Sequence, residues 1–148
     1  KGNHDEDKDF YLGQILKVTY ENTHNVIVED STKDRKYFKY DNVLLGFSHG
    51  DKTKNYVNTL PATIMIENKQ SMPDIDFIHH FCGDIHHIEK FQLKTSQDLK
   101  GCTISFLRAM SDNSKWEYEQ GYVGIPKTAE SYIFKKGKGL TANLQVHI

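Results

Sequence analysis

The sequence is poor in the residues that mark specialised protein classes. Its 148 residues include only two cysteines, three prolines and one tryptophan. Two cysteines are too few for a disulfide-rich secreted scaffold. Because apolar residues surround Cys82 and Cys102, we expect both to be buried, reduced thiols. No run of about 18 apolar residues is present, so we expect no membrane-spanning helix.

The chain also lacks an excess of charge of either sign. Nineteen basic residues stand against twenty acidic ones. A nucleic-acid-binding domain often carries a strong basic excess, so the charge does not support an extensive DNA interface, although it leaves a small one open. Histidine, in contrast, is abundant. The chain has eight, and five of them lie in or beside short glycine-containing segments: His4, His49, His79, His86 and His87.

Hydrophobic patterning predicts one α/β domain that covers residues 1–148. We expect a helix over 5–22, with Leu12, Ile15, Leu16 and Thr19 as its core-facing stripe, and a second helix over 55–70. We expect strands at 25–29, 36–40, 42–48, 74–82, 88–93, 103–107, 131–134 and 140–147. The segments 42–48 and 74–82 are nearly continuous apolar runs, which are typical of strands buried on both faces.

Each of these two apolar strands ends at a turn that contains glycine and histidine. The first runs into His49-Gly50-Asp51, and the second into Gly83-Asp84-Ile85-His86-His87. A third such turn, Gly2-Asn3-His4-Asp5, precedes the first helix. Open α/β sheets keep their sites at the carboxyl ends of strands, so these turns are the candidate site. His79 and His80 lie inside a strand, and we interpret them as structural residues, one on each face.

The three turns carry a mixed set of metal donors. The candidate ligands are Asn3, His49, Asp84 and His86. Imidazole nitrogens with amide or carboxylate oxygens suit Mn²⁺, Fe or Zn²⁺ better than Ca²⁺ or a cysteine-type zinc site. Two such ions about 3.5–4 Å apart clamp the attacking and leaving oxygens of a phosphoryl transfer. His4 would then stabilise the phosphoryl oxygens or protonate the leaving group, with Asp5 fixing its tautomer.

Three segments resemble the last three motifs of the calcineurin-like metallophosphoesterases in order and spacing. They are Lys-Gly-Asn-His-Asp-Glu at 1–6, Phe-Ser-His-Gly-Asp at 47–51 and Gly-Asp-Ile-His-His at 83–87. The tail from Arg108 to Tyr132 is similar to the phage-encoded DNA repair exonucleases of this family. The resemblance implies the C-terminal half of a four-layer αββα sandwich with mixed β-sheets. It also implies a two-metal hydrolase that acts on DNA in the cytoplasm of a bacterial host cell.

The resemblance further implies individual roles for the residues of the first two turns. Asn3 and His49 would bind the second metal. His4 would be the catalytic histidine, and Asp5 would be its partner. Attack of water on phosphorus in line with the leaving oxygen would follow, with His4 assisting at that oxygen.

The last turn departs from the family pattern. His86 keeps the position that reaches the first metal, but Asp84 stands where the family has a histidine. A carboxylate can ligate a metal, yet it adds charge and favours harder ions, so the role of Asp84 is open. We expect His87 to support the ligands rather than to bind the metal itself.

The family's upstream motifs, Asp-x-His and Gly-Asp-x-x-Asp, are not found ahead of the first turn. They supply most ligands of the first metal and the bridging aspartate. We therefore expect an N-terminal segment, covalent or a split partner, to complete the site, and this chain alone to be inactive; a homo-oligomer is also open. Two alternatives remain: a non-catalytic remnant or structural subunit of a phage or bacterial DNA-processing complex, and a phosphoesterase for small molecules or proteins.

Overall fold

A mixed sheet forms the frame of the described fold. The computed structural model describes residues 6–50, 56–83, 96–99, 101–108, 110, 118–119 and 127–147. In chain order the elements are α1 (Glu6–Thr19), β1 (Arg35–Tyr40), β2 (Val43–Ser48), α2 (Tyr56–Glu67), a 3₁₀ helix (Met72–Asp74), β3 (Phe77–Cys82), β4 (Ser96–Leu99), β5 (Cys102–Phe106), β6 (Thr128–Lys135) and β7 (Gly139–His147). Five strands pair in the order β1-β2-β3-β5-β4, and β6 pairs with β7 in a second sheet. The predicted mixed α/β class is confirmed.

The centre of the five-stranded sheet is parallel. β2, β3 and β5 run in one direction, while β1 and β4 pair antiparallel at its two edges. α2 joins β2 to β3, as a parallel pair requires a crossover connection. Because the parallel strands end at the same edge, the turns that begin at His49 and Gly83 leave the sheet there together.

One face of this sheet packs against α2. The buried cluster on that face comprises Leu44, Leu60, Ile64, Ile78, Cys82, Cys102 and Ile104. Both cysteines are buried and neither forms a disulfide, which confirms the prediction of reduced thiols. The Arg35 Nε atom and the Tyr37 hydroxyl donate to the Glu67 carboxylate at 2.9 and 2.6 Å. These bonds tie β1 to the last residue of α2.

The opposite face of the sheet packs against the β6–β7 hairpin. The rings of His79 and Phe81 both meet the ring of Tyr132, with centroids 5.7 and 4.7 Å apart. At the far end of the hairpin, the Gly137 N–H donates to the Asn42 side chain at 3.1 Å. The hairpin is therefore anchored along β3 and at the residue that precedes β2.

The predicted core-facing stripe of α1 is wrong. Leu12 and Ile15 are 55% and 61% exposed, and Leu16 and Thr19 are exposed as well. Periodicity predicts which face of a helix is apolar but not what covers it. In the described part of the chain, α1 instead contacts the loop that follows it, through an ion pair of 2.6 Å between Lys17 and Asp30. No described helix has the length and apolar character needed to cross a membrane.

The predicted strand at 25–29 is also wrong, because these residues form a turn and an irregular loop. β-branched residues favour a strand only where a neighbouring strand offers pairing. β4 was not predicted, since Ser-Gln-Asp-Leu has no apolar alternation, and its pairing with β5 defines it. The predicted strand at 88–93 lies outside the described residues. The other predicted helices and strands are confirmed, with ends that differ by up to three residues.

Candidate functional site

His49 and Gly83 lie next to each other at the carboxyl ends of β2 and β3. The Gly83 N–H donates to the Ser48 carbonyl at 3.1 Å, so the parallel pairing continues one residue beyond the strands. A Cβ atom on Gly83 would lie 3.4 Å from the His49 carbonyl oxygen and 3.7 Å from its Nδ1 atom. The imidazole therefore borders the backbone from which Asp84 and His86 follow.

The third parallel strand reaches the same edge. The Leu107 N–H donates to the Cys82 carbonyl at 2.8 Å, which extends the pairing of β5 with β3. Arg108 comes next and is half-buried. A guanidinium binds phosphate oxygens well, so Arg108 joins the candidate residues. Arg108 begins the tail that resembles the phage exonucleases, and its place directly after the predicted strand at 103–107 is a signal for it in the sequence.

Of the predicted site residues, His49 belongs to the described part of the chain. The remaining ones, Asn3, His4, Asp5, Asp84, His86 and His87, lie outside the described residues. Among the residues that are described, no group of three or more His, Cys, Asp or Glu side chains could hold a metal ion. The structure thus brings two of the predicted turns together at their first residues, and the arrangement of the full ligand set stays a prediction.

The residue types of the two turns are ones that ligate divalent metals in proteins. His49 supplies an imidazole, and the chain returns to the same place at Gly83, directly before Asp84 and His86. Gly83 carries no side chain that could cover Nδ1 of His49. Imidazole and carboxylate donors suit Mn²⁺, Fe and Zn²⁺, and His49, Asp84 and His86 are the residues of these two turns that would hold such an ion.

Behind His49, Ser48 is hydrogen-bonded to His80. Its Oγ atom lies 2.9 Å from His80 Nε2 and 3.8 Å from Cys82 Sγ. His80 is fully buried, and burial is the largest cause that lowers its pKa from 6.5 to about 4. The ring is therefore neutral at pH 7. Gly46 makes space for it, because a Cβ atom there would lie only 3.0 Å from His80 Cε1.

His79 turns to the other face of the sheet. Its Nε2 atom lies 2.9 Å from the Ser105 hydroxyl, and the residue is buried against the β6–β7 hairpin. Successive side chains of a strand point to opposite faces, and the structure confirms this prediction for His79 and His80. Each of the two histidines is thus hydrogen-bonded to a serine on a neighbouring strand.

No protein-family model, curated protein or solved structure matches this chain. The resemblance to calcineurin-like metallophosphoesterases therefore stays a prediction from the three motif segments.

Proposed function

We propose that this chain carries the metal-binding edge of a metal-dependent phosphodiesterase that acts on DNA. The observation that supports the proposal is the contact between His49 and Gly83 at the carboxyl ends of β2 and β3. The first residues of the two turns that resemble the family's last two motifs therefore lie side by side. Divalent cations in such a site neutralise phosphoryl oxygens and lower the pKa of the attacking water.

The residues of the chain take distinct roles in this proposal. His49 offers an imidazole nitrogen, and Asn3 an amide oxygen that adds no charge. His4 donates a proton to the leaving oxygen, while Asp5 accepts a hydrogen bond from the other ring nitrogen and so fixes the tautomer. Arg108 binds a non-bridging phosphate oxygen.

The proposal requires more ligands than these turns contain. Two cations held close together need a bridging carboxylate to offset their repulsion. A segment with the Asp-x-His and Gly-Asp-x-x-Asp motifs would supply it, either in the same protein or as a partner. DNA is the proposed substrate because of the similarity of the tail at 108–132 to phage exonucleases. The net charge of −1 does not support an extensive DNA interface and leaves a small one open.

The test is hydrolysis of bis-p-nitrophenyl phosphate and of single- and double-stranded DNA in Mn²⁺. The chain is combined with a polypeptide that carries the two upstream motifs. We expect His4→Ala to remove hydrolysis while Mn²⁺ stays bound, and His49→Ala to weaken Mn²⁺ binding and hydrolysis together. His24→Ala is the matched control, because His24 lies exposed in the loop after α1, and it should preserve both.

Two outcomes would contradict parts of this assignment. Loss of Mn²⁺ in His4→Ala would make His4 a ligand rather than an acid. Absence of hydrolysis with every substrate would contradict catalysis. It would favour the second candidate, a non-catalytic structural subunit of a DNA-processing complex. The observation that supports this candidate is Asp84, which replaces a histidine of the family motif.

A further inference from the structure

We propose that Ser48 and His80 form a positioning pair that fixes the His49 turn against the Gly83 turn. This inference depends on the proposed function, because it assigns the pair to the metal-binding edge. Neither residue belongs to the predicted ligand set. Their role follows from how Ser48 is attached to the neighbouring strand.

Ser48 is the last residue of β2 and directly precedes His49. Its carbonyl accepts the Gly83 N–H at 3.1 Å, and its Oγ atom meets His80 Nε2 at 2.9 Å. The Cys82 Sγ atom lies 3.8 Å from the same Oγ. All three partners belong to β3 or to the residue that follows it. A movement of Ser48 would therefore carry His49 away from the backbone that leads to Asp84.

A histidine at position 80 is difficult to explain by packing alone. Its neighbours on the same face of β3, Ile78 and Cys82, are buried, and they belong to the apolar cluster under α2. A buried polar ring costs stability unless it is hydrogen-bonded. Gly46, directly opposite His80 in the pairing of β2 with β3, provides the space that the ring occupies. One feature that distinguishes the imidazole from an apolar side chain here is its hydrogen bond to Ser48.

The other face of the same strand provides an internal control. His79 Nε2 and Ser105 Oγ are also 2.9 Å apart, so the two pairs have the same separation and involve consecutive histidines. Ser105, however, lies within β5, whereas Ser48 immediately precedes a candidate ligand. Loss of either hydroxyl removes one serine–histidine bond, but only loss of Ser48 disturbs the His49 turn.

The experiment compares Ser48→Ala with Ser105→Ala in the 148-residue chain. One measurement is amide hydrogen exchange at Gly83 in the metal-free chain. The other is the Mn²⁺ affinity of the chain combined with the polypeptide that carries the two upstream motifs. We expect Ser48→Ala to accelerate exchange at Gly83 and to weaken Mn²⁺ binding by about 10-fold or more, as for groups that orient metal ligands. Ser105→Ala should leave both unchanged. Ser48→Thr retains a hydroxyl and should restore both.

The outcomes separate this inference from the proposed function. Equal exchange at Gly83 in Ser48→Ala and Ser105→Ala would overturn the positioning role, and this measurement needs no metal. Faster exchange with unchanged Mn²⁺ affinity would reduce the pair to a structural contact and would also overturn it. If the wild-type chain combined with the polypeptide that carries the two upstream motifs binds no Mn²⁺, and His49→Ala changes nothing, the proposed function fails.

Discussion

His80 occupies its position because Gly46 has no side chain. The two residues are partners in the parallel pairing of β2 with β3, and both are buried. A Cβ atom at position 46 would overlap Nδ1 of the ring and lie 3.2 Å from its Cγ atom. The ring cannot turn outward, because protein interiors are close-packed. The smallest enlargement of Gly46 therefore has to displace His80.

Gly46→Ala is expected to lower the free energy of unfolding by about 1–3 kcal/mol, the usual cost of overpacking a core. Urea unfolding followed by circular dichroism measures it. Gly13→Ala is the control, because a Cβ atom there meets nothing within 4 Å and alanine favours a helix. The double variant Gly46→Ala/His80→Ala should lose less than the sum of the single losses. Strict additivity would show that the two side chains do not compete for space.

For single residues, the sequence predicts which face of the sheet a side chain points to, but not which residue it hydrogen-bonds to. The alternation of side chains along a strand predicts that His79 and His80 face opposite sides, and the structure confirms it. Their serine partners depend on the registers of β3 with β2 and with β5. Register is set by contacts far apart in sequence, so neither Ser48 nor Ser105 was predictable as a partner from the residues around it.

At the level of elements, the β6–β7 turn shows how the hairpin meets the sheet. Gly137 and Gly139 both have positive φ, 67° and 68°. Only at Gly139 would a Cβ atom encounter the sheet, 2.8 Å from the ring of Phe77 at the start of β3. A Cβ atom at Gly137 would meet nothing within 4 Å. Both positions therefore require a positive φ, but they differ in whether an added Cβ atom would meet another side chain.

Gly139→Ala is expected to destabilise the protein more than Gly137→Ala does. Both changes carry the left-handed backbone cost of about 1–2 kcal/mol for a residue with a Cβ atom. Gly139→Ala additionally forces the Phe77 ring aside, which should add about 1 kcal/mol or more. Thermal or urea unfolding of the two variants isolates this difference. Equal losses would mean that the hairpin does not rest on Phe77.

The elements predicted best are those whose own residues carry the whole apolar pattern that identifies them. β2 and β3 are flanked by strands on both sides, and their nearly unbroken apolar runs identified them. β4 consists of Ser-Gln-Asp-Leu, and its pairing with β5 defines it. The stripe on α1 was periodic, yet the described chain leaves Leu12 and Ile15 exposed. Pattern predicts an element more reliably than it predicts what packs against the element.

For the whole molecule, the sequence predicted where in the fold the candidate site lies, namely at the carboxyl ends of the apolar strands. Two apolar strands ending at histidine turns were expected to bring those turns to one edge. The parallel pairing of β2 with β3 and the contact of His49 with Gly83 agree with this expectation. The hydrogen bond between Ser48 and His80, next to this edge, was not predicted, since it depends on how neighbouring strands pack.

The stability of the whole protein should depend on pH through His80. Burial, with smaller contributions from the charges of Arg35 and His79, lowers the pKa of this ring to about 4, while Glu67 opposes the shift. An unfolded chain returns the ring to a pKa of about 6.5. Between these two values the unfolded state binds more protons than the folded one. Stability is therefore complete above pH 6.5 and falls as the pH falls toward 4.

The expected loss is about 1.4 kcal/mol per pH unit inside that window, or about 2 kcal/mol between pH 6.5 and 5. Restricting the range to pH 5 and above keeps most carboxyl groups ionised in both states. Urea unfolding at pH 7, 6 and 5 measures the slope, and His80→Gln, which cannot titrate, should lose most of it. An equal slope in that variant would assign the pH dependence to other groups. If the free energy of unfolding of the wild-type protein did not change with pH, the folded protein would accept the proton on His80. The ring would then not be held away from water between Gly46 and Ser48.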